Sequence, residues 1–349
     1  QRVMQQHESY HHKMTVDYVI VGAGSSGCVL AAKLAKTLKS DSIVVLEGGG
    51  TNDYSFVRDF RESLYMPPDE QPKIDWCYES TVQKGLNNRI LPVSRAKMLG
   101  GCSSHNQCLY VRGSPADYQY WPKNWSYENV LTNYKNIETV MDDHLNNSYR
   151  GKHGPLQIST KQSRKNELTK HFKEACENNG YKSIDDYNTP FEEEQICSYM
   201  QFNVGLGNNP HHRQDAYTSF LKPVENQSNV QIITEAHVSR ILFKQDLVPT
   251  ATAVEYYKQG KKYLIEVKEE VILSAGAIGT PHLLQVSGIG DENELRSLDI
   301  PVVKHLPGVG KELQDHLITF ILYKLKEPLH VDHRNLIDVN MFVKNPLKD

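Results

Sequence analysis

The stretch V-G-A-G-S-S-G at 21–27 places three glycines between two apolar patterns. Residues 16–21 ahead of it form a short, nearly continuous apolar run, which is typical of a parallel strand buried on both faces. Residues 28–38 behind it carry apolar side chains at helical spacing, and 42–46 form a second apolar strand. The sequence therefore predicts a β-α-β unit, and with it an α/β fold built on a parallel sheet.

The three glycines follow the G-x-G-x-x-G spacing of a dinucleotide-binding turn. Gly22 permits the tight turn, Gly24 lets the backbone approach a pyrophosphate, and Gly27 lets the helix pack closely on the strand. Ser25 and Ser26 open the helix, where unpaired N–H groups and a partial positive charge favour phosphates. These five residues are therefore candidate cofactor-binding residues.

Glu47 ends the second strand twenty residues after Gly27, where a carboxylate accepts hydrogen bonds from the ribose hydroxyls of adenosine. NAD and FAD share this ADP half, so the pattern alone does not separate them. The glycine clusters at 204–207 and 307–310 lack a third glycine, so we expect one bound dinucleotide. Residues 48–95 are too long for a simple crossover, and we expect them to wrap over a ligand or a neighbouring domain.

Composition bounds the class of protein. A chain of 349 residues exceeds the usual size of one core, so we expect two domains. A net charge of -3 does not indicate the excess of basic residues that is typical of nucleic-acid-binding proteins. The apolar run at 316–325 is about half of the roughly 20 residues that a bilayer span needs. Residues 1–14 lack the apolar core of a secretory signal and are interpreted as a flexible tail, while compartment and oligomeric state stay open.

The cysteines and the clustered aromatic residues both favour structural roles. Six cysteines without a C-x-x-C pair indicate isolated thiols, so neither a disulfide scaffold nor a metal site is expected. Aromatic side chains at close spacing could line a substrate channel, but they are more typical of a core. The aromatic cluster consists of Tyr118, Tyr120, Trp121 and Trp125.

Two longer segments carry the strongest signal in the chain. Residues 96–117 read A-K-M-L-G-G-C-S-S-H-N-Q-C-L-Y-V-R-G-S-P-A-D, and 276–290 read G-A-I-G-T-P-H-L-L-Q-V-S-G-I-G. These segments resemble the two signature patterns of the glucose-methanol-choline family of oxidoreductases. L-E-G-G-G at 46–50 and L-P-G-V-G-K-E-L-Q-D-H at 306–316 resemble the same family, so the likeness extends over nearly all of the chain.

The resemblance implies two domains whose segments alternate along the chain. One is an FAD-binding domain with a parallel sheet, expected at 15–153 and 213–316. The other is an α+β substrate domain with an antiparallel sheet, expected at 154–212 and, incompletely, at 317–349. FAD is the cofactor implied, the substrate is a small alcohol oxidised at its CH–OH group, and the electron acceptor is oxygen or another molecule.

The resemblance also implies further cofactor residues. The segment 100–106, the flavin loop, contributes Gly100, Gly101 and Ser104, which are expected to run along the flavin, and Asn106, which is expected near its pyrimidine edge. The backbone of Val238 is expected to meet the adenine. Ala275 and Gly276 are expected to end a strand against the cofactor.

The flavin loop departs from the commonest family pattern at Cys102 and His105. G-G-C-S-S-H-N instead resembles the choline oxidase subgroup, in which this histidine is bonded covalently to the flavin 8α carbon. A neutral imidazole nitrogen is a competent nucleophile toward that carbon. The alternative is that His105 packs or hydrogen-bonds beside a non-covalent FAD. Choline as substrate does not follow from His105 alone.

The resemblance places the acid–base chemistry in a C-terminal segment, with a histidine as general base and a second histidine or an asparagine as its pair. Nothing after His316 resembles that segment, so we expect the catalytic residues beyond Asp349. Two alternatives to an alcohol oxidoreductase stay open. One is a flavin-containing hydroxynitrile lyase, and the other is a non-catalytic structural or assembly protein that reuses the fold.

Overall fold

The computed structural model describes residues 10–62, 68–161, 163, 167–191, 195–206, 211–316, 318–327 and 337–343. The chain divides into two compact units. The first unit comprises Gln1–Asn52, Pro67–Ser104 and Ala216–Ile321, and the second comprises Asp53–Met66, His105–Asp215 and Leu322–Asp349.

Regular elements are numbered in chain order. The strands are β1 (His12–Val21), β2 (Ile43–Leu46), β3 (Tyr78–Glu79), β4 (Pro92–Val93), β5 (Glu138–Val140), β6 (Leu156–Ile158), β7 (Lys182–Ser183), β8 (Gln195–Tyr199), β9 (Val230–Ile233), β10 (His237–Lys244), β11 (Thr250–Lys258), β12 (Lys261–Leu273), β13 (Ile289–Gly290), β14 (Lys304–His305) and β15 (Val339–Val343). The helices are α1 (Ser25–Thr37), α2 (Ser55–Arg58), α3 (Gln71–Ile74), α4 (Tyr127–Ile137), α5 (Glu167–Asn178), α6 (Gly276–Val286) and α7 (Glu292–Ser297).

The first unit is built on a sheet in the order β10-β11-β12-β1-β2-β9. The four strands from β12 to β9 run parallel, whereas β10, β11 and β12 pair antiparallel. Alternate residues of β1 enter two apolar clusters, with Ile20 in one and Val19 in the other, because successive side chains of a strand point to opposite faces. Helix α1 packs Ala31 and Ala35 into the first of these clusters. The expected α/β fold with a parallel sheet is confirmed.

Two boundaries differ from the sequence-based expectation. Strand β1 begins at His12, so the tail expected at 1–14 is wrong for 12–14, because His12 and its neighbours pair with the long strand β12 from Tyr263 onward. Residues 1–9 of that tail lie outside the described residues. From their apolar patterns alone, 263–267 and 270–273 are expected to be two separate strands, but both belong to the single strand β12.

The second unit has a small sheet in the order β15-β8-β7, with β15 antiparallel and β7 parallel to β8. Its apolar cluster includes Phe60, Ile196 and Phe202. A buried ionic network supports it, in which Arg150 lies 2.8 Å from Glu138 and 2.7 Å from Asp186. The segment expected at 15–153 contributes to both units, since 53–66 and 105–153 cluster with the second; the assignment of cofactor and substrate roles to segments stays a prediction.

Candidate dinucleotide-binding site

A groove of about 560 Å³ lies in the first unit, where β1, β2 and β12 end. This volume is within the range of about 300–1,000 Å³ that is usual for small-molecule and cofactor sites. The groove gathers residues that are far apart in the sequence, in the crevice outside the carboxyl ends of parallel strands where such folds bind ligands. The groove is lined by nine of the predicted cofactor residues, which are Gly22, Gly24, Ser25, Ser26, Glu47, Gly101, Val238, Ala275 and Gly276.

The glycines of the first turn are required by close backbone contacts. Gly22 has φ +100°, and a Cβ there would lie 2.5 Å from the carbonyl oxygen of Ser274. A Cβ on Gly27 would lie 1.9 Å from the carbonyl oxygen of Gly22, so this glycine allows the helix to approach the turn. Gly24 caps α1, and no described side chain caps that helix start. The first N–H groups of α1 are therefore available to an anion in the groove.

Glu47 is buried at the edge of the groove, with 6% of its surface exposed. Its carboxylate accepts hydrogen bonds from the backbone N–H groups of Ala23 and Gly49, each at 2.9 Å. Burial raises the pKa of Glu47 to about 7, although the two N–H groups and the charge of Lys97 act against this rise. Hydroxyl donors from a ribose would favour the ionised form, so the environment suits the predicted role.

An aromatic wall that the motifs did not predict lines the same groove. Trp76 and Tyr78 stack with their ring centroids 6.0 Å apart, and His237 packs against Trp76 at 5.7 Å. The ammonium of Lys97 lies 5.0 Å from the centre of the Trp76 ring. Burial lowers the pKa of His237, and the charges of Lys97 and His282 act in the same direction. The long segment at 48–95 thus contributes to a groove, but its sequence did not indicate which of its residues line that groove.

The flavin loop meets the glycine turn through backbone contacts. The N–H of Gly100 donates to the carbonyl of Ala23 at 2.8 Å, and a Cβ on Gly101 would lie 2.7 Å from Cα of Gly24. Ser104 is fully buried, and its hydroxyl donates to the carbonyl of Leu99 at 2.8 Å while accepting from Asn52 at 3.1 Å. Gly101 therefore lines the groove, whereas Ser104 fixes the shape of the loop; its role toward a cofactor stays a prediction.

His105 and Asn106 belong to the second unit. Asn106 is held by Arg213, whose Nη1 donates to the backbone oxygen and to Oδ1 of Asn106. The side chain of His105 is half-buried. No sequence motif pointed to Arg213, because a single arginine in H-H-R-Q-D at 211–215 has no recognisable spacing.

The aromatic cluster at 118–125 does not form a core, contrary to the expectation. Tyr120 is 90% exposed, and Trp121 and Trp125 are 53% and 55% exposed. Tyr118 is half-buried, and its hydroxyl lies 2.5 Å from that of Tyr134. Tyr120 and Trp121 follow the short helix at Pro115–Tyr118, and Trp125 ends the short helix at Lys123–Trp125; close spacing in the sequence could not reveal these turns.

Among the described residues, no three side chains drawn from His, Cys, Asp and Glu come close enough together to hold a metal ion. No helix in the described part of the chain has the length and apolar character needed to cross a bilayer.

A strand, glycine turn and helix that carry a groove with a buried carboxylate at the end of the second strand define a dinucleotide-binding α/β protein. The family model of the GMC oxidoreductases matches residues 16–318, and the chain belongs to this family.

Relatives agree with this membership. The chain is 36% identical over 323 residues to the oxygen-dependent choline dehydrogenase of Staphylococcus xylosus, covering 91% of this chain and 55% of that protein. It is 36% identical over 322 residues to the mitochondrial choline dehydrogenase of Homo sapiens, covering 89% and 52%. The chain therefore spans about half the length of the curated relatives it matches.

Solved structures agree on the fold. An FAD-dependent oxidoreductase from Chaetomium thermophilum matches with a TM-score of 0.76 and 27% identity, over 86% of this chain and 52% of that one. Pyridoxine 4-oxidase from Mesorbium loti matches with a TM-score of 0.73 and 25% identity, over 84% and 55%.

Proposed function

We propose that this chain is the cofactor-binding part of an FAD-dependent oxidoreductase that oxidises the CH–OH group of a small alcohol. One observation carries the proposal: the groove is continuous from Glu47, past the start of α1, to Gly101 and Cys102 of the flavin loop. A dinucleotide with its ADP half at Glu47 would place its second half along that loop. The names of the relatives support FAD and an alcohol substrate.

Each end of the groove has a separate task. Glu47 orients the ribose, and the free N–H groups at the start of α1 neutralise the pyrophosphate. When bound, FAD supplies the acceptor for the hydride of the alcohol, and oxygen or another molecule then takes the electrons. We assign the acid–base residues to the part of the relatives' length that this chain does not span.

His105 is proposed as the covalent attachment point of the flavin. It follows the Gly101–Ser104 turn directly, and it precedes Asn106, which Arg213 holds in place. A residue whose neighbour is held in place has less conformational freedom, which favours a bond-forming reaction. The observation that supports this proposal is therefore the contact of Arg213 with Asn106, the neighbour of His105 within the second unit.

The test is an absorption spectrum of the purified protein before and after acid precipitation. Yellow colour that stays with the precipitate, and moves to the supernatant in His105→Asn, is the expected result. His171→Asn is the matched control, because His171 is exposed on α5 and should leave the colour in the precipitate. Colour in the supernatant of the unmodified protein would refute the covalent bond but leave FAD binding intact.

Anaerobic titration with a panel of alcohols that includes choline tests the reaction. The titration is run on the protein as it occurs in the cell, and bleaching of its bound flavin is expected. A bound flavin that no alcohol bleaches would contradict the proposal and favour the lyase or the structural protein, and a protein without flavin would favour the structural protein.

A further inference from the structure

Three sulfur atoms converge in the second unit, away from the groove. Cys176 lies in the last turn of α5, Cys197 in the middle of β8, and Met341 in β15. The distance from Sγ of Cys176 to Sδ of Met341 is 3.5 Å, and the thiols of Cys176 and Cys197 are hydrogen-bonded to each other. Met341 and Cys197 are direct partners across β15 and β8, so their side chains point to the same face of the sheet.

We propose that Cys176, Cys197 and Met341 form a binding site for one monovalent copper ion. Two thiolates and a thioether are soft ligands, and soft ligands select Cu(I) over the harder divalent ions. A trigonal ion about 2.3 Å from each sulfur would require sulfur–sulfur distances of roughly 4 Å. The observed 3.5 Å is within a small adjustment of that arrangement.

The surroundings of the three sulfurs suit a bound cation. Cys176 is 6% exposed and Cys197 is fully buried, whereas Met341 is 37% exposed, so an ion can enter on the methionine side. Burial raises the pKa of both thiols, and Lys173 acts in the opposite direction on both. On binding, each thiol releases one proton and forms one copper–sulfur bond, which leaves a site with one net negative charge. The ammonium of Lys173 compensates that charge, although Lys173 also pairs with Glu177 at 2.8 Å.

The spacing of these residues explains why the sequence predicted no metal site. The two cysteines are separated by a helix and a strand, and the third ligand is a methionine that only strand pairing brings beside them. Zinc is less suited, because it takes four ligands from Cys, His and carboxylates. Among the described residues, no third His, Cys, Asp or Glu side chain joins Cys176 and Cys197 to form such a ligand set.

The experiment is an anaerobic titration of the full chain, reduced beforehand, with Cu(I) held by a chromophoric chelator. One equivalent of copper should move from the chelator to the protein. Cys176→Ser and Cys197→Ser should each lose it, and Cys77→Ser, which changes an exposed cysteine, should keep it. Retention of the full equivalent by Cys176→Ser, or its loss in Cys77→Ser, would overturn the proposal.

A second arm does not depend on the folding of the cysteine variants. X-ray absorption at the copper edge of the loaded, unmodified chain should show three sulfur neighbours. Met341→Leu, a change of similar volume at a partly exposed position, should reduce that number to two. Nitrogen or oxygen neighbours in the unmodified chain, or three sulfurs in Met341→Leu, would contradict the site.

Discussion

Arg213 holds Asn106 at two oxygens with a single nitrogen. Nη1 of Arg213 lies 2.6 Å from the backbone oxygen of Asn106 and 2.9 Å from its Oδ1. Nε of the same guanidinium donates to the carbonyl of Val57 at 2.9 Å, and Arg213 is only 1% exposed. One buried cation therefore connects α2 to the residue that follows His105.

The first prediction concerns this anchor. Arg213→Met removes the donors and leaves the carbonyls of Val57, which is buried, and Asn106 without them, so the free energy of unfolding should fall by about 3 kcal/mol. Urea unfolding measures the change. Arg296→Met is the control, because Arg296 is 66% exposed and pairs with Glu292 one turn away, a contact worth about 0.5 kcal/mol. Equal losses in the two variants would show that Arg213 is not an anchor.

The second prediction is a pH dependence caused by Glu47. Its pKa is about 7 in the folded protein and 4.5 in a model compound, so the folded state holds a proton that the unfolded chain has lost. The stabilisation is complete below pH 4.5 and is lost as the pH rises through 7, by about 3 kcal/mol in the ligand-free protein. Glu47→Gln cannot ionise and should lack this contribution. The measurement is the difference in unfolding free energy between the two proteins from pH 4 to pH 8, and a difference that stays constant would contradict the assignment.

The third prediction separates binding from folding at Gly24. Its φ of -81° suits any residue, and the nearest atoms to an added Cβ would be 3.9 Å away, so Gly24→Ala should fold normally. The methyl group would nevertheless stand where the pyrophosphate must approach the backbone. Binding of ADP, measured by calorimetry, should weaken by about tenfold or more, equivalent to at least about 1.4 kcal/mol.

Gly50→Ala is the matched control for that experiment, because a Cβ there would meet nothing within 4 Å and Gly50 does not line the groove. ADP should bind to this variant as it does to the unmodified chain. Unimpaired binding of ADP to Gly24→Ala would mean that the ligand does not pass over this turn.

Local patterns predicted the centre of the fold well. The β-α-β unit at 16–46 could be predicted because strands and helices differ in the period of their apolar residues and the glycines mark the turn between them. Gly22, Gly24 and Glu47 line one groove, as their spacing indicated. The boundaries of the strands were harder to predict. The start of β1 at His12 depends on pairing with β12, which is more than 240 residues away in the chain.

Residues whose position depends on tertiary contacts could not be predicted. Trp76 reaches the groove because a long irregular segment folds over Gly48, and a Cβ on that glycine would lie 2.9 Å from the indole. Arg213 acquires its role from carbonyls that lie more than 100 residues earlier. Exposure at Tyr120 and Trp125 likewise depends on short turns that have no periodic signal.

The last prediction uses Trp76 as a reporter of the groove. The chain has three tryptophans, and Trp76 lines the groove whereas Trp121 and Trp125 are more than half exposed. An adenine ring that enters beside Trp76 should stack on it or displace Lys97 from its face, and either event changes the indole emission. Titration with ADP should therefore shift the fluorescence of the unmodified chain, and Trp76→Phe should lose the shift while it still binds ADP by calorimetry. Trp125→Phe should keep the shift, and a signal that instead vanished in Trp125→Phe would mean that the adenine does not reach the aromatic wall.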